Sequence, residues 1–476
     1  MLQTQIDNFK LFINGEWVPT IEKMDVLNKF TQQPFSSIGV ATEEHVKEAV
    51  KASKESQKYE FHPYDRYEVL KKVADLLTEN RDLFATTMTK EVGKTIAESY
   101  TEVDRSVQTL LVSAEEAKRI NGEVVPVEAA QGSENRIAFS LRVPVGVVAA
   151  ITPFNVPLNL VCHKVGPAIA AGNSVILKPA EKTPIVAILL TKLFEEAGLP
   201  QGRLNLLTGD GKQIGDWLLN NKNVNMFTFT GSPRVGEYIR SKAGIRKVAL
   251  ELGNNSATIV HKDADIEKAS TLVAARGFNN AGQVCISVQR VYVHEEVKEE
   301  FLKLLKEKVA ALKVGDPFDK ETDIGPMISE LEAKRVDRWV NEAISEGAEL
   351  VCGGSRDGAF YQPTVLDKVV GSMKVSCQEV FGPVVSIDTY KEIDAVIEKV
   401  NDSEYGLQAG IFTNNLQLAM KAAKKIEVGG LIVNDTSAYR VDHMPYGGVK
   451  NSGNGKEGPQ YAIKEMTEER LIVLNV

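Results

Sequence analysis

The sequence predicts an α/β protein whose central domain is a doubly wound parallel sheet. Short apolar, β-branched runs alternate with helical patterns from residue 145 to residue 243. The runs are apolar at nearly every position, as in strands that helices cover on both faces. A second alternation of strand and helix patterns begins near residue 256. Two α/β halves are therefore expected, and the cleft between them is the usual place for a ligand.

The segment before the first sheet is predicted to be helical over residues 65–120, because apolar residues recur there at helical spacing. Strand character follows at 123–127 and again at 136–142. In the second of these segments, apolar residues from Ile137 to Leu141 alternate with other residues. This alternation predicts a strand whose apolar face is covered.

The first sheet is predicted from four strand–helix pairs. Written as a strand and its following helix, they are 145–151 and 158–171, 174–179 and 184–197, 203–209 and 214–219, and 224–229 and 235–243. The second half shows fewer clear elements. They are strands at 291–293, 384–390 and 408–412, helices that end near 312 or span 395–400 and 416–426, and a last strand at 470–476.

Composition limits the classes of function. The chain has 476 residues, which is too long for one core and predicts two or three domains. A formal net charge of −8 disfavours nucleic acid as the main partner, because an acidic surface repels phosphate backbones. The N-terminus shows no basic segment followed by an apolar run, and no apolar run reaches the ~18 residues of a membrane span. We therefore expect neither a secretory signal nor a membrane partner.

Cysteine and histidine usage indicates a reducing cytoplasm and no catalytic metal. The four cysteines include no CxxC pair, and four in 476 residues do not make a disulfide scaffold. The six histidines show no HExxH or other metal-ligand spacing. The expected protein is cytoplasmic and keeps its thiols free.

Three glycine motifs look like phosphate loops but lack the context that such loops need. The GxGxxG match at 453–458 follows no predicted strand, and the chain ends before a βαβ unit could be completed. GKT at 93–95 lacks the upstream glycine of a P-loop. Gly209 and Gly211 could begin a GxGxxG motif, but the third glycine comes one residue later than this motif requires. None of the three motifs is therefore favoured as a phosphate loop.

A better phosphate site is FTFTGSPRVG at 227–236. A buried strand ends there at Phe229, Ser232 can cap the helix that follows, and free N–H groups at a helix start bind phosphate. An ordinary capped helix is the alternative interpretation. Lys178 and Glu181 close another strand at the same edge of the sheet, where a nucleotide ribose would lie. The alternative for this pair is a solvated loop.

The stretch FNNAGQVCIS places Cys285 among small and polar residues. A cysteine nucleophile needs a base and an oxyanion donor, because a free thiol has a pKa of about 8.5. Asn155, at the end of the first strand, offers an amide for an oxyanion. Glu251 offers a half-buried carboxylate with a raised pKa, which suits a general base. Locally, Asn155 could equally belong to a turn, and Glu251 could be an exposed strand-end charge.

Six motifs occur in one order along the chain, namely TPFN, LKPAEKTP, FTGS, ELGN, GQVC and EVFGP. Together they resemble the aldehyde dehydrogenase superfamily, and the resemblance extends over essentially the whole chain. It implies a Rossmann-type doubly wound NAD-binding domain, an α/β catalytic domain and a β oligomerisation arm. The implied boundaries are 1–121 with 144–252 for the NAD-binding domain, 253–455 for the catalytic domain, and 122–143 with 456–476 for the arm.

The resemblance also implies roles for single residues. Cys285 matches the nucleophile that forms a thiohemiacetal and then a thioester, Asn155 matches the oxyanion donor, and Glu251 matches the base that activates water. The cofactor-binding positions implied in the same way are Ile151, Thr152, Pro153, Phe154, Lys178, Glu181, Gly211, Phe229, Gly231, Ser232, Leu252, Glu379 and Phe381. Glu181 can bind a 2′-OH but would repel a 2′-phosphate, so NAD is favoured while NADP stays possible. The arm implies a homodimer or homotetramer.

The substrate is predicted from three features, namely AGQVCIS, the run SAYRVDHMPYGG at 437–448 and Arg105 in a helix, which together resemble one branch of the superfamily. That branch includes lactaldehyde, sulfolactaldehyde, phosphonoacetaldehyde and non-phosphorylating glyceraldehyde-3-phosphate dehydrogenases. Arg105 and Arg440 match positions that contact the anion in members using anionic aldehydes, a role that suits the bidentate fork of Arg. Val284 and Val156 stand where some phosphate-binding members carry polar residues. A small aldehyde that is hydroxylated or carries one acid group is therefore expected, such as lactaldehyde, sulfolactaldehyde or a semialdehyde.

Several alternatives stay open at this point. Arg105 could instead pair with an acidic neighbour such as Glu102. The enzyme could be a generalist for neutral aldehydes, or it could pass its thioester to coenzyme A, although Glu251 argues against that acylating class. A cysteine hydrolase is disfavoured, because no histidine lies near Cys285 in any motif.

Overall fold

A computed structural model describes residues 8–476, and this part of the chain forms 24 β-strands and 15 α-helices. The strands are β1 (Asn8–Phe9), β2 (Leu11–Ile13), β3 (Glu16–Val18), β4 (Lys23–Leu27), β5 (Pro34–Gly39), β6 (Val124–Val125), β7 (Arg136–Pro144), β8 (Val147–Ile151), β9 (Ser174–Lys178), β10 (Leu204–Leu206), β11 (Met226–Thr230), β12 (Lys247–Glu251), β13 (Ala257–Val260), β14 (Arg290–His294), β15 (Glu349–Cys352), β16 (Arg356–Asp357), β17 (Phe360–Tyr361), β18 (Thr364–Asp367), β19 (Val384–Tyr390), β20 (Tyr405–Gly406), β21 (Gln408–Phe412), β22 (Gly430–Val433), β23 (Val449–Lys450) and β24 (Thr467–Asn475). The helices are α1 (Glu43–Ser56), α2 (Pro63–Glu79), α3 (Arg81–Val92), α4 (Ile96–Ala117), α5 (Asn159–Ala170), α6 (Ile185–Glu196), α7 (Gly211–Asn220), α8 (Pro233–Ala243), α9 (Ile266–Arg276), α10 (Lys298–Ala310), α11 (Glu330–Ser345), α12 (Lys374–Cys377), α13 (Ile393–Asn401), α14 (Leu416–Lys425) and α15 (Pro459–Glu465).

The first seven-stranded sheet runs in the order β12-β11-β8-β9-β10-β2-β3. The five strands from β12 to β10 are parallel, and β2 and β3 add an antiparallel edge. Along β8, Val148 and Ala150 belong to one apolar core, whereas Val147 and Ala149 belong to a second core. Successive side chains of a strand point to opposite faces, so both faces of the sheet are covered. The predicted doubly wound parallel sheet is confirmed.

The register of this sheet aligns the carboxyl ends of four strands. Ile151 at the end of β8 pairs with Lys178 of β9 and with Phe229 of β11, and Thr230 of β11 pairs with Glu251 of β12. The last residues of these strands therefore lie side by side at one edge. In open α/β sheets this edge is where ligands bind.

The second seven-stranded sheet runs in the order β15-β18-β19-β14-β13-β21-β22. All neighbouring strands in it are parallel except β15 and β18. Ile259 and Val260 of β13 belong to different apolar cores, so helices cover this sheet on both faces as well. The strands predicted at 384–390 and 408–412 are observed with those bounds as β19 and β21.

The helical segment predicted before the first sheet is observed as α2, α3 and α4. α4 begins with a capping box, in which Thr95 Oγ1 accepts from the Glu98 N–H and the Glu98 carboxylate accepts from the Thr95 N–H. Satisfying both free donors fixes the start of this long helix. Within residues 8–476, no helix is both long and apolar enough to cross a membrane.

A separate three-stranded sheet joins β24, β7 and β6. β24 pairs with β7 over nine residues, from Thr467 opposite Pro144 to Asn475 opposite Arg136. This sheet is the arm foreseen from segments 122–143 and 456–476, although β24 starts three residues before the predicted strand at 470–476.

The predicted covering of the apolar face of β7 is wrong for the single chain. Ile137 is 52% exposed and Leu141 is 44% exposed, whereas Ala138 and Ser140 are buried. The physical reason is that this chain covers the other face, where Ser140 Oγ accepts from the Glu123 N–H at 2.9 Å. The apolar face is left towards solvent.

β10 is shorter than the strand predicted at 203–209, with only three residues. Thr208 leaves the sheet because its carbonyl accepts from the Ala41 N–H and its hydroxyl donates to the Gly39 carbonyl at 2.6 Å. Contacts with a segment distant in sequence thus end the strand early.

Candidate active site

Cys285 follows a tight loop with left-handed backbone. Asn280, Ala281 and Gly282 have φ angles of 49°, 53° and 70°, a conformation that costs a non-glycine residue about 1–3 kcal/mol. Gly282 is needed for a second reason, because an added Cβ would lie 2.0 Å from the Gly382 carbonyl oxygen. The loop is therefore held by its surroundings and presents Cys285 at a fixed place.

Asn155 is buried beside this loop, as its predicted role requires. Its Nδ2 donates to the Gln283 carbonyl at 2.8 Å, and its own carbonyl accepts from Asn280 Nδ2 at 3.1 Å. The amide has two hydrogens, and the bond to Gln283 uses one of them. Glu98 of α4 accepts from the Asn280 N–H at 2.6 Å and fixes the same loop from the other side.

The Cys285 thiol contacts a tyrosine hydroxyl. Cys285 Sγ lies 2.9 Å from Tyr446 Oη, and the Arg440 guanidinium carbon lies 3.7 Å from the centre of the Tyr446 ring. Burial raises the pKa of the Cys285 thiol to about 11, while the Tyr446 hydrogen bond and the Arg440 charge act to lower it. The Cys285 thiol therefore binds its proton more tightly than a free thiol does.

Glu251 ends β12 and is more buried than the sequence indicated, with 5% of the residue exposed. Within residues 8–476, neither of its carboxyl oxygens has a hydrogen-bond partner. Burial, and then the negative charge of Glu457, raise the pKa of Glu251 well above its usual value. The chain passes closely here, since a Cβ on Gly447 would lie 2.8 Å from Glu251 Oε1. The predicted base is thus a buried carboxyl with a high proton affinity.

Glu457 is a second buried carboxylate close to Glu251. It accepts from Lys164 Nζ at 3.3 Å and from Arg440 Nη2 at 2.8 Å. Although burial opposes its charge, Lys164 and Arg440 lower the pKa of Glu457 to about 2. The pKa values of the two carboxyl groups therefore differ widely, because that of Glu457 is lowered and that of Glu251 is raised.

Arg105 is paired with Asp442 and only partly exposed. Its Nε and Nη2 donate to the two Asp442 oxygens at 3.1 Å and 2.8 Å. Asn159 Nδ2 also donates to Asp442 at 2.9 Å, and His163 Nε2 lies 3.0 Å from it. Burial opposes the charge of Asp442, but the bonds from His163 and Arg105 hold the pKa of Asp442 well below its usual range.

His163 Nε2 faces two charged groups, with Asp442 Oδ1 at 3.0 Å and Arg440 Nη2 at 3.1 Å. Burial, together with the charge of Arg440, lowers the pKa of His163. We refer below to the anion cluster, which consists of Arg105, His163, Lys164, Arg440, Asp442 and Glu457.

Arg105 does pair with a carboxylate, as the alternative interpretation held, but the partner is Asp442 and not Glu102. Glu102 pairs instead with Lys94, and it accepts from the Leu158 and Asn159 N–H groups at 2.9 Å and 3.1 Å. It therefore fixes the start of α5 rather than holding Arg105.

The predicted ribose pair lies at the carboxyl end of β9. Lys178 Nζ donates to Glu181 Oε2 at 3.2 Å, and the Glu181 side chain is 43% exposed. A Cβ on Gly211 would lie 3.2 Å from Lys178 Nζ. Burial lowers the pKa of Lys178, and Glu181 acts to raise it. Gly211 thus leaves room above a cation and carboxylate that could hold hydroxyl groups.

α8 begins at the same edge, next to the end of β11. A Cβ on Gly231 would lie 2.5 Å from the Phe229 ring, so only glycine lets the chain pass this ring. Ser232 stands at the cap position with Pro233 as the first helical residue, but its side chain makes no capping bond. The predicted side-chain cap is therefore wrong, and the exposed hydroxyl is left for a ligand. Leu252 packs on the same helix, where a Cβ on Gly236 would lie 2.5 Å from it.

Glu379 and Phe381 approach this edge from the second α/β half. Glu379 Oε1 accepts from the Asn254 N–H at 3.0 Å, and burial raises the pKa of Glu379 to about 7. Phe381 has a φ of 45°, and its ring meets the Phe154 ring edge-on at 5.8 Å. Ile151, Thr152 and Pro153 precede Phe154 along the same path. We refer below to the dinucleotide edge, which consists of the strand ends at Ile151, Lys178, Phe229 and Glu251, the first turn of α8, and Glu379.

Five residues of the site were missed by sequence reasoning. They are His163, Lys164, Asp442, Tyr446 and Glu457. Three lie in or beside segments that had been noted, since Asp442 and Tyr446 lie within SAYRVDHMPYGG and Glu457 lies inside the discounted GxGxxG match. Over residues 8–476, no group of three or more His, Cys, Asp or Glu side chains could hold a metal ion.

The sequence profile of the aldehyde dehydrogenase family matches residues 17–472. The chain belongs to the aldehyde dehydrogenase family. It is 68% identical to the 3-sulfolactaldehyde dehydrogenase of Priestia aryabhattai over 99% of both chains. It is 44% identical to the lactaldehyde dehydrogenase of Methanococcus vannielii, over 98% of this chain and 100% of the other. The glyceraldehyde-3-phosphate dehydrogenase of Methanocaldococcus jannaschii, solved with NADP, matches with a TM-score of 0.92 and 40% identity over 95% of this chain and 99% of the other.

These matches confirm the family and the fold that the motifs implied. This aldehyde dehydrogenase is an NAD(P)-dependent oxidoreductase that acts on aldehydes.

Proposed function

We propose that this aldehyde dehydrogenase oxidises a small, singly charged hydroxyaldehyde of the 3-sulfolactaldehyde type. The observation that carries the proposal is the charge of the anion cluster. Three cations, Arg105, Arg440 and Lys164, stand against two ionised carboxylates, Asp442 and Glu457, which leaves one positive charge while Glu251 is protonated. A sulfonate carries one negative charge and would balance it. The identity of 68% with 3-sulfolactaldehyde dehydrogenases supports the same substrate class.

Two guanidinium donors are free for such an anion. The pairing of Arg105 with Asp442 uses Nε and Nη2, and Nη1 is left over on a side chain that is 36% exposed. In residues 8–476, Nε of Arg440 has no hydrogen-bond partner. A sulfonate has three oxygens that accept from such donors. Val284 and Val156 add apolar surface, which disfavours the second charge of a phosphate.

Cys285, Asn155 and Glu251 perform the chemistry in this proposal. Cys285 first loses its thiol proton to water, its Sγ then attacks the aldehyde carbon, and the Asn155 amide and the Cys285 N–H hold the oxyanion that forms. A bound nicotinamide dinucleotide would supply the hydride acceptor for the oxidation of this adduct to a thioester on Cys285. Glu251 then takes a proton from water, the hydroxide attacks the thioester carbon, and the Cys285 thiolate leaves. The raised pKa of Glu251 suits this task, because its ionised form accepts protons readily.

The dinucleotide edge would hold the cofactor, and its fit rests on the close approaches at Gly211 and Gly231. Lys178 and Glu181 would bind the adenosine ribose, Gly231 and Ser232 the pyrophosphate, and Glu379 the nicotinamide ribose. The lining residues would be Ile151, Thr152, Pro153, Phe154, Gly211, Phe229, Leu252 and Phe381. We propose NAD as the preferred cofactor, because the Glu181 carboxylate would repel a 2′-phosphate.

The exposed apolar face of the arm supports a homodimer or homotetramer. Ile137 pairs with Leu474 of β24, so Ile137, Leu141 and Leu474 lie on the same face, and each is at least 44% exposed. Such a patch marks an interaction surface. The domain boundaries at 121, 143, 252 and 455 and a cytoplasmic location, suited to four free thiols, are part of the same proposal.

The test is dehydrogenase activity of the purified protein with 3-sulfolactaldehyde, lactaldehyde, succinic semialdehyde and glyceraldehyde-3-phosphate, each with NAD and with NADP. We expect kcat/KM to be highest for 3-sulfolactaldehyde with NAD. A higher value for lactaldehyde would reject the anion and favour the neutral hydroxyaldehyde that the relative at 44% identity uses by name. Formation of acyl-CoA with added coenzyme A would instead show the acylating class.

A further inference from the structure

We propose that the Tyr446 hydroxyl donates a hydrogen bond to the Cys285 thiolate, and that Tyr446 is therefore a catalytic residue of this enzyme. The proposal concerns formation of the nucleophile and holds for any aldehyde substrate. It starts from the 2.9 Å contact between Tyr446 Oη and Cys285 Sγ. A thiolate has no proton to give, so in the reactive state the hydroxyl is the donor.

Cys285 has no other side-chain hydrogen bond in the described part of the chain. Its backbone lies in a buried loop, and burial makes the thiolate costly. His163 faces Asp442 and Arg440, so it belongs to another set of contacts. Tyr446 is thus the one side chain that hydrogen-bonds the sulfur in residues 8–476.

Tyr446 keeps its proton under the conditions in which Cys285 loses one. Burial, and then the charge of a Cys285 thiolate, raise the pKa of Tyr446 well above its usual value. The hydroxyl therefore remains a donor while the thiol ionises. A donor of this kind stabilises the thiolate without competing for the proton.

Arg440 acts on the sulfur through the Tyr446 ring. The guanidinium carbon lies 3.7 Å from the ring centre, and a cation over a ring face is attracted by its π electrons. The cation withdraws electron density from the ring, which makes the phenol a stronger donor. Glu457 holds Arg440 from the opposite side at 2.8 Å, so the guanidinium is fixed in the stacked position. Arg440 is a positioning residue in this respect.

The backbone fixes Tyr446 in the same arrangement. Its N–H donates to the Glu457 carbonyl at 3.1 Å and its carbonyl accepts from the Glu457 N–H at 2.6 Å. The charged groups that face the Cys285 and Tyr446 pair are Arg440, Glu251, Glu379 and Glu457. Three are carboxyl groups that oppose a thiolate, which makes the single donor more important.

The test is the Tyr446→Phe variant, which keeps the ring under Arg440 and removes only the hydroxyl. The full-length enzyme is alkylated with iodoacetamide between pH 6 and pH 10, and mass spectrometry follows the modification of Cys285. A hydrogen bond to a charged group corresponds to at least about one pKa unit. A rise of one pKa unit lowers the thiolate fraction about tenfold, but the more basic thiolate is about threefold more reactive. We therefore expect the alkylation rate to fall at least about threefold. The acid limb of kcat/KM should move to higher pH.

Two further variants separate this role from a structural one. Tyr59→Phe changes an exposed tyrosine and should alkylate like the wild type. Arg440→Met should slow alkylation more in the wild type than in the Tyr446→Phe background, because part of the effect of the charge passes through the phenol. An unchanged alkylation rate and pH profile in a folded Tyr446→Phe enzyme, judged by its melting temperature, would overturn the proposal. This readout needs no aldehyde, so it does not depend on whether 3-sulfolactaldehyde is the substrate.

Discussion

The dinucleotide edge and the anion cluster are built in different ways. At the edge, neighbouring strands in one register bring Ile151, Lys178, Phe229 and Glu251 side by side. The residues of the anion cluster are not aligned by neighbouring strands. Ion pairs instead join α4 and α5 to the segment that follows β22. His163 and Asp442, for example, are 279 residues apart in sequence. The edge therefore follows from the register of the strands, whereas the anion cluster depends on individual side chains, which in the proposed function select the substrate.

The largest effect on activity is expected for Glu251, the proposed base, which belongs to the dinucleotide edge and lies close to the anion cluster. Glu251→Gln removes the group that activates water but leaves the Cys285 and Asn155 contacts, so kcat should fall about 10²- to 10⁴-fold. The first turnover should still release its reduced cofactor as a burst, because the thioester forms without this base. Stopped-flow absorbance would measure both. Loss of the burst, with the exposed Glu237→Gln variant active, would contradict the assignment of Glu251 to hydrolysis.

The anion cluster is tested by Arg105→Lys and Arg105→Ala. Lys keeps the charge but lacks the fork that can serve Asp442 and a sulfonate together. We expect kcat/KM for 3-sulfolactaldehyde to fall about tenfold or more in both variants, and lactaldehyde to be oxidised almost as before. Steady-state kinetics with both aldehydes would show this split. Arg119→Ala, beyond the end of α4, is the matched control, and an equal loss for both aldehydes would mean that Arg105 is structural.

The dinucleotide edge is tested by Glu181→Gln. Removal of the carboxylate charge should raise the NADP to NAD ratio of kcat/KM about tenfold, because repulsion of a 2′-phosphate is relieved. Lys182→Gln changes an exposed neighbour and should leave this ratio unchanged. If Glu181→Gln leaves the ratio unchanged too, another part of the edge selects the cofactor.

The smallest effect on activity is expected at the arm. Ile137→Asp places a charge on the apolar face of β7 and should dissociate the oligomer, which analytical ultracentrifugation at micromolar concentration would detect. Per-subunit activity should change less than in the variants above, because the arm face lies outside the site. Leu416→Asp is the control at another exposed apolar residue. A wild-type enzyme that sediments as a monomer would reject the assembly itself.

A pH effect on stability distinguishes the buried base from the paired carboxylates. The folded pKa of Glu251 is raised, so the folded state binds its proton more tightly and loses stability as pH rises above the ordinary carboxyl range. Glu457 behaves oppositely, because its lowered pKa contributes stability that is lost only on acidification towards about 2. Glu251→Gln should therefore gain in melting temperature relative to the wild type as pH increases. Parallel melting curves would contradict the buried, unpartnered state of Glu251.

Sequence reasoning succeeded for reactive residues that follow directly after an apolar strand. A polar residue directly after an apolar strand must lie at the carboxyl edge, which is how Asn155, Lys178 and Glu251 were located. The same reasoning missed Lys164, because it lies inside an apolar helix and its partner Glu457 is 293 residues away. Tyr446 was missed because an aromatic residue before two glycines is usually interpreted as a residue that packs in the core. The covering of β7 was misjudged because alternation shows which side chains share a face, and not whether the same chain covers that face.

The high pKa of the Cys285 thiol has a consequence for the lifetime of the enzyme. Peroxide and disulfides react with thiolates, and a thiol whose pKa lies near 11 exposes very little thiolate at neutral pH. We expect the resting enzyme to resist oxidative inactivation, and to become vulnerable only when ligands or alkaline pH promote ionisation. A catalyst of this kind is kept in an inert form between turnovers.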